Sequence, residues 1–124
     1  DQVILGMPFY TRIWSLTPKD TDNVSQTDTS DSSNYTTSSS VYGMEQAATE
    51  VLDNQATASW DSASGQNYAE WTKDNVIYKV WLEDSSSMEE RLKLVTGNSL
   101  AGAAFWKLGF ETSSIWDTVI KYIN

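Results

Sequence analysis

The sequence predicts an α/β chain carrying an inserted α+β segment, and three observations support that reading. Two short apolar runs, 3–10 and 100–111, stand near opposite ends of the chain, and each passes from aliphatic into aromatic and polar residues. Such runs read as strands buried on both faces, the kind found in parallel sheets. One helix signal precedes the second run and another follows it, so the outer elements give two consecutive βα units. Between the two runs lie an amphipathic stripe and three β-rich stretches broken by turn residues, the makings of an antiparallel meander with a helix packed on it.

Composition bounds the function before any motif does. At 124 residues the chain is about one domain, well short of the ~250 residues of a closed α/β barrel. Apolar residues make up 40%, which fits a globular chain rather than a disordered one. Six Trp and six Tyr are rich supplies of rings that grip amphipathic ligands. Eight basic against 17 acidic residues give a net charge of −9, which argues against nucleic acid and anionic membrane as partners. The chain has no Cys and no His, which excludes a disulfide, a thiolate nucleophile, a Ser-His-Asp triad and a His-ligated metal within it. No cofactor is expected. No signal-peptide or membrane-spanning run is read in these residues, which says nothing about where a longer parent resides. Because the chain opens almost on a strand and stops in or just after a helix, it reads as a piece of something longer.

Taken in order, residues 3–10 form the first strand, with Pro8 near its end rather than its middle. Residues 17–40 are almost devoid of apolar side chains and read as a solvated loop. Asn23-Val-Ser25 and Asn34-Tyr-Thr36 match the glycosylation acceptor pattern, which a Ser/Thr-rich tract also produces by chance. Asp20, Asp22, Asp28 and Asp31 lack the spaced Gly and closing Glu of a calcium loop. Met44, Ala47, Ala48, Val51 and Leu52 make one helical stripe over 44–52. Strands follow at 57–61, 67–72 and 76–82, the last two joined by a hairpin at Asp74-Asn75. Ser87 with Glu90 is a capping-box pattern, predicting a helix to about Val95 that Gly97 terminates. After the strand in 100–111, Ser113 or Ser114 caps a final helix whose buried face is Ile115, Trp116, Val119, Ile120 and Ile123.

These elements carry a resemblance to the family 18 glycoside hydrolases, the chitinase-like enzymes built on a (β/α)8 TIM barrel. Ile4-Leu-Gly-Met-Pro-Phe-Tyr-Thr-Arg12 resembles that family's seventh strand, usually Gly-x-Pro-Phe-Tyr-Gly-Arg. Residues 57–82, with Trp60-Asp61, Tyr68 and Val80-Trp81-Leu-Glu-Asp84 closing the run, resemble its small insertion domain. Ala101-Gly-Ala-Ala-Phe-Trp106 resembles the eighth strand, which ends in the Trp that floors the sugar site. The wording is most similar to bacterial spore-cortex and cell-wall members. The resemblance implies a C-terminal barrel portion at 1–13 and 84–124 (strands 7 and 8 with their helices) and an inserted α+β subdomain at 14–83, including the polar loop 17–40. It also implies substrate-assisted, retaining hydrolysis of β-1,4 bonds next to N-acetylglucosamine, in peptidoglycan or chitin, and an extracellular, cell-wall or spore location.

Two departures bear on activity. The family's Asp-x-x-Asp-x-Asp-x-Glu signature, whose last Glu is the general acid, does not occur. The chain is therefore expected to be inactive alone, with no catalytic residue of its own. Thr11 stands where Gly is usual. The substrate-binding candidates carried over are Trp106, Tyr10 and Arg12. Trp106 reads as a sugar platform or as core, with the resemblance favouring the platform. Tyr10 offers a hydroxyl to a sugar or simply finishes the strand; Arg12 bonds a sugar or pairs with an acid, the acidic excess favouring the pair. Trp14, Trp60, Trp71 and Trp81 wall a cleft or, for most of them, pack within the insertion, and Trp116 reads as core. Glu83 and Glu111 are acids of the right type, but solvated or capping roles fit their sequence context better. The rival reading from another class is a non-catalytic carbohydrate-binding domain on a degenerate barrel. Two strands cannot close a barrel, so their free edges make self-association an expectation.

Overall fold

The computed structural model describes residues 3–19 and 29–123. Among these residues the order is β1 (Ile4–Pro8), β2 (Tyr10–Pro18), β3 (Tyr35–Gly43), α1 (Met44–Asp53), β4 (Ser59–Asp61), β5 (Gln66–Lys73), β6 (Val76–Leu82), α2 (Ser85–Gly97), β7 (Gly102–Trp106) and α3 (Ile115–Ile120). The result is a mixed α/β fold with two sheets and three helices. No described helix is long and apolar enough to cross a membrane.

The first sheet is the expected parallel pair. β1 lies beside β7, with Ile4 opposite Gly102 and Pro8 opposite Trp106. Phe9 continues the ladder by donating its N–H to the Trp106 carbonyl at 2.7 Å. Leu5, Met7, Phe9, Ala103 and Phe105 point to the helices and join Met88, Leu92, Val95, Ile115 and Val119 in one core. Three rings order its centre. Phe9 stacks on Phe105 at 4.8 Å, and Trp116 stands edge-on to both, at 5.5 and 6.0 Å.

The other face of this sheet corrects the two-sided burial expected of the apolar runs. Ile4 is 61% and Trp106 68% exposed, and Ala104 is exposed with them. Both helices lie on one side, and nothing among the described residues covers the other. An unbroken apolar run hides this alternation, because both faces are written in the same residue types.

The second sheet has five antiparallel strands in the order β3-β2-β6-β5-β4. It recruits two strands that were not expected. After Phe9 the chain continues directly into β2, and the tract read as a loop over 17–40 contains the end of β2, a 3-10 turn at Ser32–Asn34 and most of β3. Ser and Thr build the middle of β3 because it is an edge strand whose side chains from 36 to 41 mostly face water, where burial demands no apolar alternation. Its rungs include a Ser15–Ser38 hydroxyl pair at 2.7 Å. Asn34 of the second acceptor pattern is exposed. Asn23, Asp20, Asp22 and Asp28 lie outside the described residues.

α1 covers one face of this sheet as its stripe predicts. Ala47 and Val51 pack on Ile13, Ala69, Trp71, Val80 and Leu82. Ala48 and Leu52, on the edge of the stripe, are exposed. The β5–β6 hairpin turns on Asp74 (φ 50°) and Asn75 (φ 64°), both left-handed, as a two-residue primed turn requires.

Two helix starts differ from expectation. α2 is capped by Asp84, not Ser87: the Asp84 carboxylate accepts the N–H groups of Ser86 and Ser87, and the Ser87 hydroxyl accepts from the Asp84 N–H. A carboxylate at a helix N-terminus also gains from the helix dipole, which a hydroxyl does not. α3 begins after Ser114, whose side chain makes no capping bond. Its buried face is Ile115, Thr118 and Val119; Ile120 sits off that stripe and Ile123 lies beyond the end of the helix, and the two are 52% and 53% exposed.

Candidate functional site

Two neighbouring recesses follow one extended stretch of chain from β1 into β2. The first, of about 420 Å³, lies at the carboxyl ends of the parallel strands and is lined by Gly6, Pro8, Tyr10, Ala104, Phe105 and Trp106. Parallel strands place ligands at that end. The Trp106 indole is presented to solvent rather than packed, and the Trp106–Lys107 peptide is cis. Tyr10 is half-buried, its ring edge-on to Phe110 at 6.3 Å. Trp106 and Tyr10 therefore share one recess.

Arg12 does not join them. It lines the second recess, of about 350 Å³, with Thr11, Trp14, Gln66, Trp81 and Glu83. Its guanidinium donates to the Ser39 hydroxyl at 2.7 Å across the β2–β3 pair. Among the described residues it forms no ion pair, so the expected partner acid is replaced by a hydroxyl.

The remaining Trp residues divide by strand position. Trp71 is buried against α1, with Tyr78 stacked on it at 5.5 Å. Trp81 is half-buried against Tyr68 at 4.8 Å, and its indole N–H donates to Asp61 at 3.2 Å. Hydrogen bonds from Ser64, Ala63 and Trp81 hold the Asp61 carboxyl below its usual range. Trp14 and Trp60 keep 38% and 47% of their surface exposed, and only Trp14 faces the second recess.

Neither acid singled out is free. Glu83 is buried, not solvated. It accepts from Gln66 at 2.9 Å, from Ser87 at 2.9 Å and from Arg91 in a close ion pair. Burial pushes its carboxyl up, while the Arg91 and Ser87 bonds pull it down. Glu111 caps a turn by accepting the Gly109 N–H at 2.7 Å. No group of three or more metal-ligating side chains forms among the described residues.

Two contacts are not legible in the sequence. The Thr11 hydroxyl bonds the Trp81 carbonyl, tying β2 to the end of β6 beside the second recess. Thr11 is not a positive-φ residue, so its replacement of Gly disturbs no turn. Gly43 lets the start of α1 approach the Phe110 turn: Met44 N–H donates to the Phe110 carbonyl at 2.8 Å, and a Cβ on Gly43 would stand 3.0 Å from that same oxygen.

The sequence model of glycosyl hydrolases family 18 matches residues 1–111. A search of curated proteins found no significant match. Among solved structures, the fold is similar to the C-terminal domain of a chitinase-like protein from Desulfitobacterium hafniense (TM-score 0.78, 21% identity, 98% of this chain and 35% of that one). It is similar too to the spore cortex-lytic enzyme SleL of Bacillus cereus (TM-score 0.75, 16% identity, 98% and 25%). A third is a family 18 chitinase from Cycas revoluta, solved in complex with (GlcNAc)4 (TM-score 0.59, 18% identity, 94% and 31%). The chain thus spans between 25% and 35% of the length of these three structures. With its model matched over most of the sequence and the same fold in these structures, the chain belongs to glycosyl hydrolases family 18.

Proposed function

We propose that the chain is the C-terminal part of a glycoside hydrolase that cleaves β-1,4 bonds next to N-acetylglucosamine in chitin or peptidoglycan. In this reading 1–13 and 84–124 are the last two βα units of a (β/α)8 barrel, and 14–83 is an insertion forming one wall of the cleft. The observation that carries it is Trp106. An indole 68% exposed at the carboxyl end of a parallel strand, with Tyr10 beside it, is costly as core and apt as a platform. Its face offers an apolar plane to the C–H face of a pyranose, and Tyr10 and Arg12 offer polar groups along the same stretch.

The chemistry belongs to the rest of the barrel. In substrate-assisted retention a Glu protonates the glycosidic oxygen, and the substrate's acetamido carbonyl attacks the anomeric carbon in place of a second enzyme carboxylate. Neither Glu83 nor Glu111 is placed for that work, since both are committed to internal bonds. This chain positions the sugar and does not move its proton, and by itself it hydrolyses nothing. The polymers concerned are wall materials, so we place the enzyme outside the cytoplasm, at the cell wall or spore.

The test is titration of the chain with (GlcNAc)4, followed by tryptophan fluorescence. Saturable binding that weakens about tenfold in Trp106→Ala is expected, the loss of one stacked ring contact of ~1.5 kcal/mol. Equal affinity in the variant would remove Trp106 from the site, and no binding by either would leave the fold without a sugar role.

A further inference from the structure

A third cavity lies on the opposite side of the five-stranded sheet from the second recess, where α1 ends. It measures about 190 Å³, room for about six waters. Its lining includes Tyr42 from β3, Trp71 and Lys73 from β5, Tyr78 from β6, Glu50 from α1 and Asn54, which caps that helix. The Trp71–Tyr78 stack, at 5.5 Å and 9°, forms one wall. Charge is disposed at its margins. Glu50 stands in the last turn of α1, and Asn54 bonds the Glu50 backbone carbonyl at 2.8 Å. This is the negative end of the helix dipole, so carboxylate and dipole act together there. Lys73 comes from the sheet. Among the described residues no ion pair engages Glu50 or Lys73, although both line the same small space.

An anionic side chain, a cationic side chain and an aromatic wall lining one small cavity match one kind of ligand. We propose that this cavity binds a small zwitterion, a free amino acid or a dipeptide, with its ammonium toward Glu50 and the end of α1 and its carboxylate toward Lys73. The rings add a favourable surface for the ammonium. Each charge-assisted contact in a partly enclosed site is worth about tenfold in affinity. A neutral sugar would use neither charge. This inference is independent of the sugar reading, because none of its residues lines the first recess and only the opposite sheet face borders the second.

The experiment is NMR titration of the full chain with alanyl-alanine, observing the Trp71 indole N–H, beside its N-acetylated amide and the disaccharide of N-acetylglucosamine. Saturable shifts with the dipeptide alone are expected. Glu50→Gln and Lys73→Met should each weaken binding about tenfold, and Lys73→Arg should restore most of it. Both side chains lie at the surface, and unchanged spectra elsewhere will show that the variants fold. The proposal is overturned if the neutral amide or the disaccharide shifts Trp71 equally, if neither charge variant weakens binding, or if no ligand saturates in the millimolar range.

Discussion

Removing the Glu83 carboxylate tests how the sheet and α2 are held together. Glu83 is 5% exposed and sits between the end of β6 and the start of α2. Glu83→Ala deletes three side-chain bonds at once, from Gln66, Ser87 and Arg91. The partners do not suffer equally. Ser87 keeps a bond to the Asp84 carbonyl at 3.1 Å, and Gln66 one to the Leu82 carbonyl at 3.2 Å. Arg91 is left with its charge uncompensated, and its side chain is 27% exposed. Breaking a buried ion pair costs ~3–5 kcal/mol, and partial access of Arg91 to water puts this case at the lower end, ~3 kcal/mol. In urea unfolding that is a midpoint lower by ~1–2 M, for a slope of ~1.5–3 kcal/mol/M. Replacing both partners by Leu should recover much of the loss, because no charge is then stranded. A loss below ~1 kcal/mol in Glu83→Ala would refute the reasoning and mark the pair as ornamental.

The same carboxylate gives a pH dependence of known sign. Burial raises its pKa above the ordinary 4.5, so the folded chain holds this proton more tightly than the unfolded one. Its contribution to stability therefore grows as pH falls through the raised value and levels off below the unfolded one. The stability difference between wild type and Glu83→Gln should move in favour of wild type on acidification from neutral pH, and a constant or opposite trend in urea midpoints would contradict the assignment. Gly43→Ala, with φ −67° and hence no backbone strain, drives a methyl to 3.0 Å from the Phe110 carbonyl. It should cost ~1–3 kcal/mol, read as a lowered urea midpoint, and a stabilised variant would show that the Phe110 turn yields freely.

What the sequence disclosed follows from how strongly each feature is written in local pattern. The β1 and β7 runs are legible as short unbroken apolar stretches, the α1 stripe by its period and the Asp74-Asn75 turn by its φ requirement. β3 is not, because an exposed edge strand of Ser and Thr has no apolar alternation to read. The cap at Asp84 is not legible because a capping pattern can be matched at more than one register, and only the hydrogen bonds choose. Of the site candidates, Trp106 and Tyr10 were placed together by strand position alone, whereas Arg12 lies two residues beyond Tyr10 and opens into the adjoining recess. Glu83 misled for a different reason. Burial of an acid is a property of its partners, and Gln66 and Arg91 lie 17 and 8 residues away.

The bond from the Thr11 hydroxyl to the Trp81 carbonyl means that the strand leaving the parallel pair and the strand returning to α2 run side by side. Everything between them is a detour that ends where it began. A host fold interrupted at such a place feels no change in the distance its own chain must bridge, whatever the size of the detour. If 14–83 is the insertion proposed above, its length leaves the ladder from Ile4 to Trp106 in register.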